Sequence, residues 1–232
     1  MEPIYIVIIS IVGLAIFLGI INSANTILMD LFKKYGDRTI LSRANTVGLI
    51  YFIRDKFDLN IEIKRIHGNL TDCYIPKLKV IALSDDTFNK STIAAISVTA
   101  HELGHAIQHR HNATTFNFVR FSNSLCALFG SLVIPAIVIS LLMLVFEINT
   151  ALAMPILYIA IGVAACNLLA RFLIIPIEYS ASNIALKFLR ENNILTPEEL
   201  KIAKKLTDAA AFTYVAEFIK DILGLNLLKR RT

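Results

Sequence analysis

The chain has 232 residues, of which 56% are hydrophobic and 18% charged, and it carries a net charge of +5. It is too apolar for an ordinary soluble domain and points to contact with a bilayer, and the positive balance fits a surface against anionic lipid without calling for a nucleic-acid partner. The cysteines Cys73, Cys126 and Cys166 are odd in number, widely spaced and form no CxxC, so neither a disulfide framework nor a cysteine zinc site is indicated.

In chain order, residues 4–21 form a first apolar stretch whose most polar interior residue is Ser10. It approaches the ~20 residues that a helix needs to cross a hydrocarbon core. Glu2 without any Lys or Arg before the stretch, and no small-x-small site before Asn25, favour a retained anchor over a secretory signal. Residues 37–57, with Ile40, Leu41, Ala44, Val47, Leu49, Ile50, Phe52 and Ile53, have the period of an amphipathic helix. Residues 59–66 alternate apolar and polar as a strand does, residues 67–72 read as a loop, and a second strand is expected over 78–83 after Pro76. Such strands can hold a peptide extended by main-chain hydrogen bonds, or simply support the helix that follows. That helix opens at Lys90-Ser91-Thr92 with Ser91 as its N-cap, and continues past His109. Residues 125–146 and 151–170 contain no charge and are two further candidate spans. Thr196-Pro197-Glu198-Glu199 is a helix start with a cap, a proline at the first position and a capping-box glutamate. The helix runs towards Lys220, and its Phe212, Val215, Phe218, Ile219 and Ile222 side can pack on the rest of the protein or lie in a membrane interface.

Basic residues set an orientation. Lys33, Lys34 and Arg38 follow the first span, Arg171 and Lys187 follow the third, and Glu147-Ile148-Asn149-Thr150 between the second and third has none. The positive-inside rule places the N-terminus and that short loop outside, with residues 22–124 and 171–232 in the cytoplasm. The expected organisation is an anchor over 1–24, a cytoplasmic part over 25–124, a transmembrane hairpin over 125–170 and a C-terminal helical part over 171–232.

The chemistry centres on His101-Glu102-Leu103-Gly104-His105. Histidines four apart on a helix share one face, so both can reach one zinc ion, and Glu102 can lie beside the metal as the base for an attacking water. Val98, Thr99, Ala100, Ala106 and Ile107 give the motif the small or apolar flanks of a packed helix.

A catalytic zinc takes three protein ligands and keeps a fourth position open. His109 lies eight residues from His101, about 12 Å along the helix, too far for all three histidines to share an ion. His111 stands where HExxHxxGxxH has its third histidine, but Gln108 replaces the glycine that would turn the chain back. His67 sits in a loop without a supporting motif. Glu178, approached by the apolar Phe172-Leu173-Ile174-Ile175-Pro176-Ile177, is the best candidate, because an unpartnered charge there would be costly. Ser182, one turn on, can hydrogen-bond the outer nitrogen of a ligand histidine.

Leu70-Thr71-Asp72 through LSDDTFNKSTIAAISVTAHELGHAIQH, then IPIEYSASNIAL and AAAFTYVAEFI, resemble the YugP-like membrane zinc metallopeptidase family over most of the chain, in the same order. A more distant similarity is to the HtpX/Ste24 metallopeptidases, which also place a membrane hairpin between HExxH and a glutamate ligand. The resemblance implies a mainly α membrane protein, with transmembrane helices plus a zincin-like metallopeptidase domain containing a small β-sheet. It implies Zn2+ on His101, His105 and Glu178, with Glu102 as catalytic base, in a gluzincin-type arrangement. Two departures stand out: Ser182 replaces the usual HtpX/Ste24 aspartate, and the loop reads Thr71-Asp72-Cys73-Tyr74-Ile75-Pro76 rather than TDHYDP.

The expected activity is zinc-dependent endopeptidase cleavage at the cytoplasmic face of a multi-pass membrane protein, on protein or peptide substrates, membrane proteins among them. Tyr214 is the preferred second donor to the oxyanion, with His111 behind it. A site-2-type intramembrane protease is disfavoured, because Lys90, His109, Arg110 and His111 bracket the motif and the spans contain no aspartate. The alternative of a different class is a non-catalytic zinc-binding membrane scaffold or adaptor, which would not need Glu102. Nothing in the chain identifies its substrate or oligomeric state.

Overall fold

Residues 3–222 and the side chains of most of them are described by the computed structural model. They form helices α1 (Pro3–Gly36), α2 (Thr46–Lys56), α3 (Ile93–His111), α4 (Ala113–Val145), α5 (Thr150–Glu191) and α6 (Pro197–Ile222), with strands β1 (Glu62–Arg65), β2 (Cys73–Ile75) and β3 (Val80–Leu83). The described chain is thus mainly helical with one small sheet. It divides into a unit made of the segments up to His111 and from Glu178 onward, and a second unit, Asn112–Ile177.

In the first unit the sheet order is β1-β3-β2. β1 runs parallel to β3, with Glu62 opposite Val80, and β2 runs antiparallel to it, with Tyr74 opposite Ile81. Val80, Ile81, Ala82 and Leu83 of the central strand are all buried, the continuous apolar run expected of a strand covered on both faces. The expected strand over 59–66 narrows to β1, and β3 takes the last four residues of the 78–83 stretch. β2 has no counterpart in the expected elements.

The helix expected over 37–57 begins nine residues late. Thr39 bridges to Thr92, the Ile40 N–H donates to the Ser91 carbonyl at 2.8 Å and the Ile93 N–H to the Arg38 carbonyl at 2.9 Å. Those bonds hold the segment extended. Asn45 then caps α2, its side-chain oxygen accepting from the Gly48 N–H at 2.7 Å, and Leu49, Ile50 and Ile53 form the buried face. The cap of α3 is Thr92 rather than Ser91, with its hydroxyl accepting from the Ala95 N–H at 3.3 Å. Ser91 is occupied by its carbonyl pairing with Ile40.

Before β2, the Asp72 carboxylate ties the preceding loop to the turn after β3. It accepts from the Ser84 N–H at 2.8 Å, the Ser84 hydroxyl at 2.9 Å and the Thr87 hydroxyl. α1 and α6 pack together, with Ala24 and Ala216 both 1% exposed beside Phe212 and Ile219. Small residues at that contact let the two helices approach closely.

The second unit carries apolar helix on almost every side. Leu128–Val145 of α4 is long and apolar enough to cross a membrane, and so is α5, which begins in this unit and continues into the first. Leu128, Leu132, Val145, Ile159 and Leu169 are more than half exposed. Polar side chains in these helices bond back to their own backbone: the Ser140 hydroxyl donates to the Ala136 carbonyl at 2.7 Å and the Asn167 amide to the Val163 carbonyl at 3.0 Å. The expected first span lies within α1, but most of its side chains before Asn22 lie outside the described ones.

The capping box of α6 forms as its residues imply. Glu199 accepts from the Thr196 N–H at 2.8 Å and the Thr196 hydroxyl at 2.9 Å, and its second oxygen accepts from the distant Leu41 N–H at 2.9 Å. Burial pushes the Glu199 carboxyl up, but these donors and the Arg38 charge outweigh it and hold the group below its ordinary 4.5. Glu199→Ala is expected to cost about 1–3 kcal/mol. Because the folded value is depressed, that contribution is full above the ordinary carboxylate value and fades as pH falls through the folded one. Thermal unfolding of both proteins in detergent at pH 7 and at pH 3–4 checks it: the gap in midpoint should narrow in acid.

Candidate metal centre

α3 is buried along nearly its whole length, since Ile93, Ala94, Ala95, Ile96, Ala100, Leu103 and Ala106 are each no more than 2% exposed. Small and aliphatic side chains on all faces make it a central helix rather than a surface one. On the face carrying His101 and His105, the residue between them is Gly104. A Cβ built on Gly104 would stand 2.5 Å from the Ala181 carbonyl oxygen of α5. Only a residue without a side chain admits that approach. The approach brings Glu178 and Ser182, three residues before and one after Ala181, against the histidines.

The Nε2 atoms of His101 and His105 lie 3.1 and 3.2 Å from one oxygen, Oε2 of Glu178. The two rings meet edge to face with centroids 4.8 Å apart. Among the described residues, His101, His105 and Glu178 form a group whose ligand atoms all lie within 4.8 Å of one another. Glu178 is 5% and His105 4% exposed.

The outer nitrogens show what this group suits. Nδ1 of His105 stands 3.0 Å from Oε1 of Gln108, and Nδ1 of His101 stands 3.1 Å from the Ser182 hydroxyl. An amide oxygen only accepts, so with the side chain so placed His105 carries its proton on Nδ1. In the neutral ring, Nε2 then presents a lone pair to a carboxylate oxygen, a repulsive arrangement unless a cation lies between them. Two imidazole nitrogens and one carboxylate oxygen are a donor set that suits zinc. Tetrahedral bonds of about 2.0 Å separate ligand atoms by about 3.3 Å, close to the distances found here. The residues present fit the metal.

Glu102 faces a different partner. Its Oε2 accepts from the Tyr74 N–H of β2 at 2.7 Å. Burial pushes its carboxyl up to about 7, against the opposing pull of His101 and the Tyr74 N–H. A carboxylate so placed can take and return a proton near neutral pH. β2 ends the strand order of the sheet, and its Tyr74 N–H is the group that holds Glu102.

Tyr214 lines the same cavity as His101 and Glu102. His111 ends α3, exposed and outside the three-residue group. His109 meets the Tyr74 hydroxyl at 2.9 Å, and His67 pairs with Asp85 at 3.1 Å. Two contributors escape a reading of motifs. Gln108 supports His105, and the signal for it is its i+3 spacing on the same helix. The Tyr74 N–H anchors Glu102, and a backbone donor leaves no trace in residue type.

A family model described as "Putative neutral zinc metallopeptidase" matches residues 6–230. "Putative membrane protease YugP" of Bacillus subtilis (strain 168) is 29% identical to this chain over 184 residues, which span 78% of this chain and 76% of the relative. No solved structure matches.

Gly104→Ala tests the contact on which this geometry rests. The added methyl must push α5 away, at about 1–3 kcal/mol for an overpacked core, and Glu178 moves with it. The purified variant should remain helical by circular dichroism but hold well below one equivalent of zinc after dialysis against a weak chelator, where the unchanged protein keeps its metal.

Proposed function

The chain belongs to the family described as "Putative neutral zinc metallopeptidase", and from that membership we propose that it is a membrane-bound, zinc-dependent endopeptidase. The observation that carries this reading is the convergence of His101, His105 and Glu178 on one point, with the Glu102 carboxylate fixed beside His101. On this reading His101, His105 and Glu178 hold the metal, and the first unit is a zincin-like domain.

A zinc ion in that position would polarise the scissile carbonyl and acidify an attacking water. Glu102 takes the proton from that water and returns it to the leaving amine. Ser182 and Gln108 hold the two imidazoles with Nε2 inward, which sets their rotation, and the Gln108 oxygen also sets the tautomer of His105. Tyr214 would donate to the developing oxyanion from the cavity wall. β2 would hold Glu102 in place through the Tyr74 N–H while an extended substrate passes beside it.

The membrane part of the reading rests on the exposed apolar faces of α4 and α5, which water would not stabilise, and on the relative's printed description as a membrane protease. The basic residues after the first and third apolar stretches favour a multi-pass arrangement with the site on the cytoplasmic side. Substrates would then be proteins or peptides that reach that face, membrane proteins among them.

Glu102→Gln separates an enzyme from a zinc-binding scaffold. The variant should keep its zinc by elemental analysis and lose about 10²–10⁴-fold in peptide hydrolysis. Unchanged hydrolysis would remove Glu102 from the reaction, and zinc-free protein from metal-replete cells would sink the proposal. Glu178→Ala should lose zinc, whereas His111→Ala should retain it; the reverse pattern would move the third ligand to His111.

A further inference from the structure

Beside the metal-ligand group lies a cavity of about 200 Å³ whose wall includes His101 and Glu102 themselves. The rest is built largely from apolar side chains of three helices and one loop: Leu28 and Phe32 of α1, Val98 of α3, Leu206 and Ala210 of α6, and Leu70. The volume is below the roughly 300–1,000 Å³ of pockets that hold a whole small ligand, and is on the scale of one large side chain.

Away from His101, Glu102 and Tyr214, its polar lining is already committed. The hydroxyls of Ser97, Thr207 and Thr213 donate to carbonyls of their own helices, Ile93 at 2.6 Å, Lys204 at 3.1 Å and Ala210 at 2.7 Å. The Asp72 carboxylate is held by Ser84 and Thr87. An acidic side chain would meet Asp72 and Glu102, and a basic one, though drawn by their charge, would find both already accepting from protein donors and would give up its water in a mostly apolar wall. An apolar side chain loses nothing and buries its surface.

We propose that this cavity is the subsite for a large apolar side chain, of the size of Leu or Phe, on the residue flanking the scissile bond; this rests on the peptidase reading above. α1 is then part of the specificity machinery, because Leu28 and Phe32, one turn apart, contribute to the cavity wall. Ala210 is the smallest side chain in the wall, so a larger residue there would fill the cavity.

The test uses the full-length zinc-loaded protein in detergent and a set of peptides that differ only at the residues flanking the cleaved bond. Leu and Phe peptides should exceed the Ala peptide by at least about 10-fold in kcat/KM, with Asp and Lys lower still. Ala210→Leu should abolish the Phe advantage while leaving the Ala peptide cleaved, and Leu206→Ala should extend tolerance to larger side chains. Binding of the same peptides to Glu102→Gln, which needs no turnover, separates the two claims. If the wild type cleaves nothing but Leu and Phe peptides still bind Glu102→Gln more tightly, and Ala210→Leu in that background removes the difference, the subsite stands and the peptidase reading fails. Equal binding of Leu, Asp and Lys peptides, a preference for Lys, or a preference that Ala210→Leu leaves intact overturns the subsite. Zinc content and circular dichroism of each variant identify any that fail to fold.

Discussion

Everything distinctive about this protein depends on how closely α3 and α5 approach at Gly104. A backbone carbonyl, that of Ala181, occupies the space where any other residue would carry its Cβ. Side chains four residues apart on one helix and one turn apart on the other can then meet within hydrogen-bonding distance. Without that approach, two histidines and a glutamate would be three buried polar groups at a high desolvation cost. With it, they form one compact donor set. The glycine in the middle of the motif is therefore structural, even though it touches no reacting atom.

Around that contact the protein spends its polar side chains on orientation. Ser182 and Gln108 face the outer nitrogens of His101 and His105 from opposite sources, one on α5 and one on α3 itself. Support from two helices fixes each ring independently, so a small shift of α5 would disturb His101 before His105. Asp72 works one layer further out. By tying its loop to Ser84 and Thr87 it sets where β2 starts, and β2 in turn fixes Glu102 through the Tyr74 N–H. Glu102 is thus held through a chain of contacts that begins at a loop acid some thirty residues before it.

The sequence reading reached the elements whose evidence is local. His101 and His105 follow from helical spacing, the start of α6 from Thr196, Pro197 and Glu199, and Glu178 from the cost of a charge among apolar neighbours. It failed where distant segments decide. Residues 37–45 have helical periodicity, yet pairing with residues 91–93 draws them into an extended path, and Ile40 is buried while Leu41 is exposed. β2 is three residues long and leans on Pro76, so it has neither the length nor the alternation that marks a strand. The parallel pairing of β1 with β3 has no local signature at all. Asp72 looked like one residue of a variable loop, and its role is set by partners twelve and fifteen residues away.

The bond from the Tyr74 N–H to Glu102 has a spectroscopic consequence. An amide proton donated to a single carboxylate oxygen at 2.7 Å is polarised by the charge on that oxygen. Its chemical shift and its exchange with solvent therefore follow the state of Glu102, from a backbone position that needs no label on the carboxyl itself. The edge strand carries a native reporter of the carboxylate it holds.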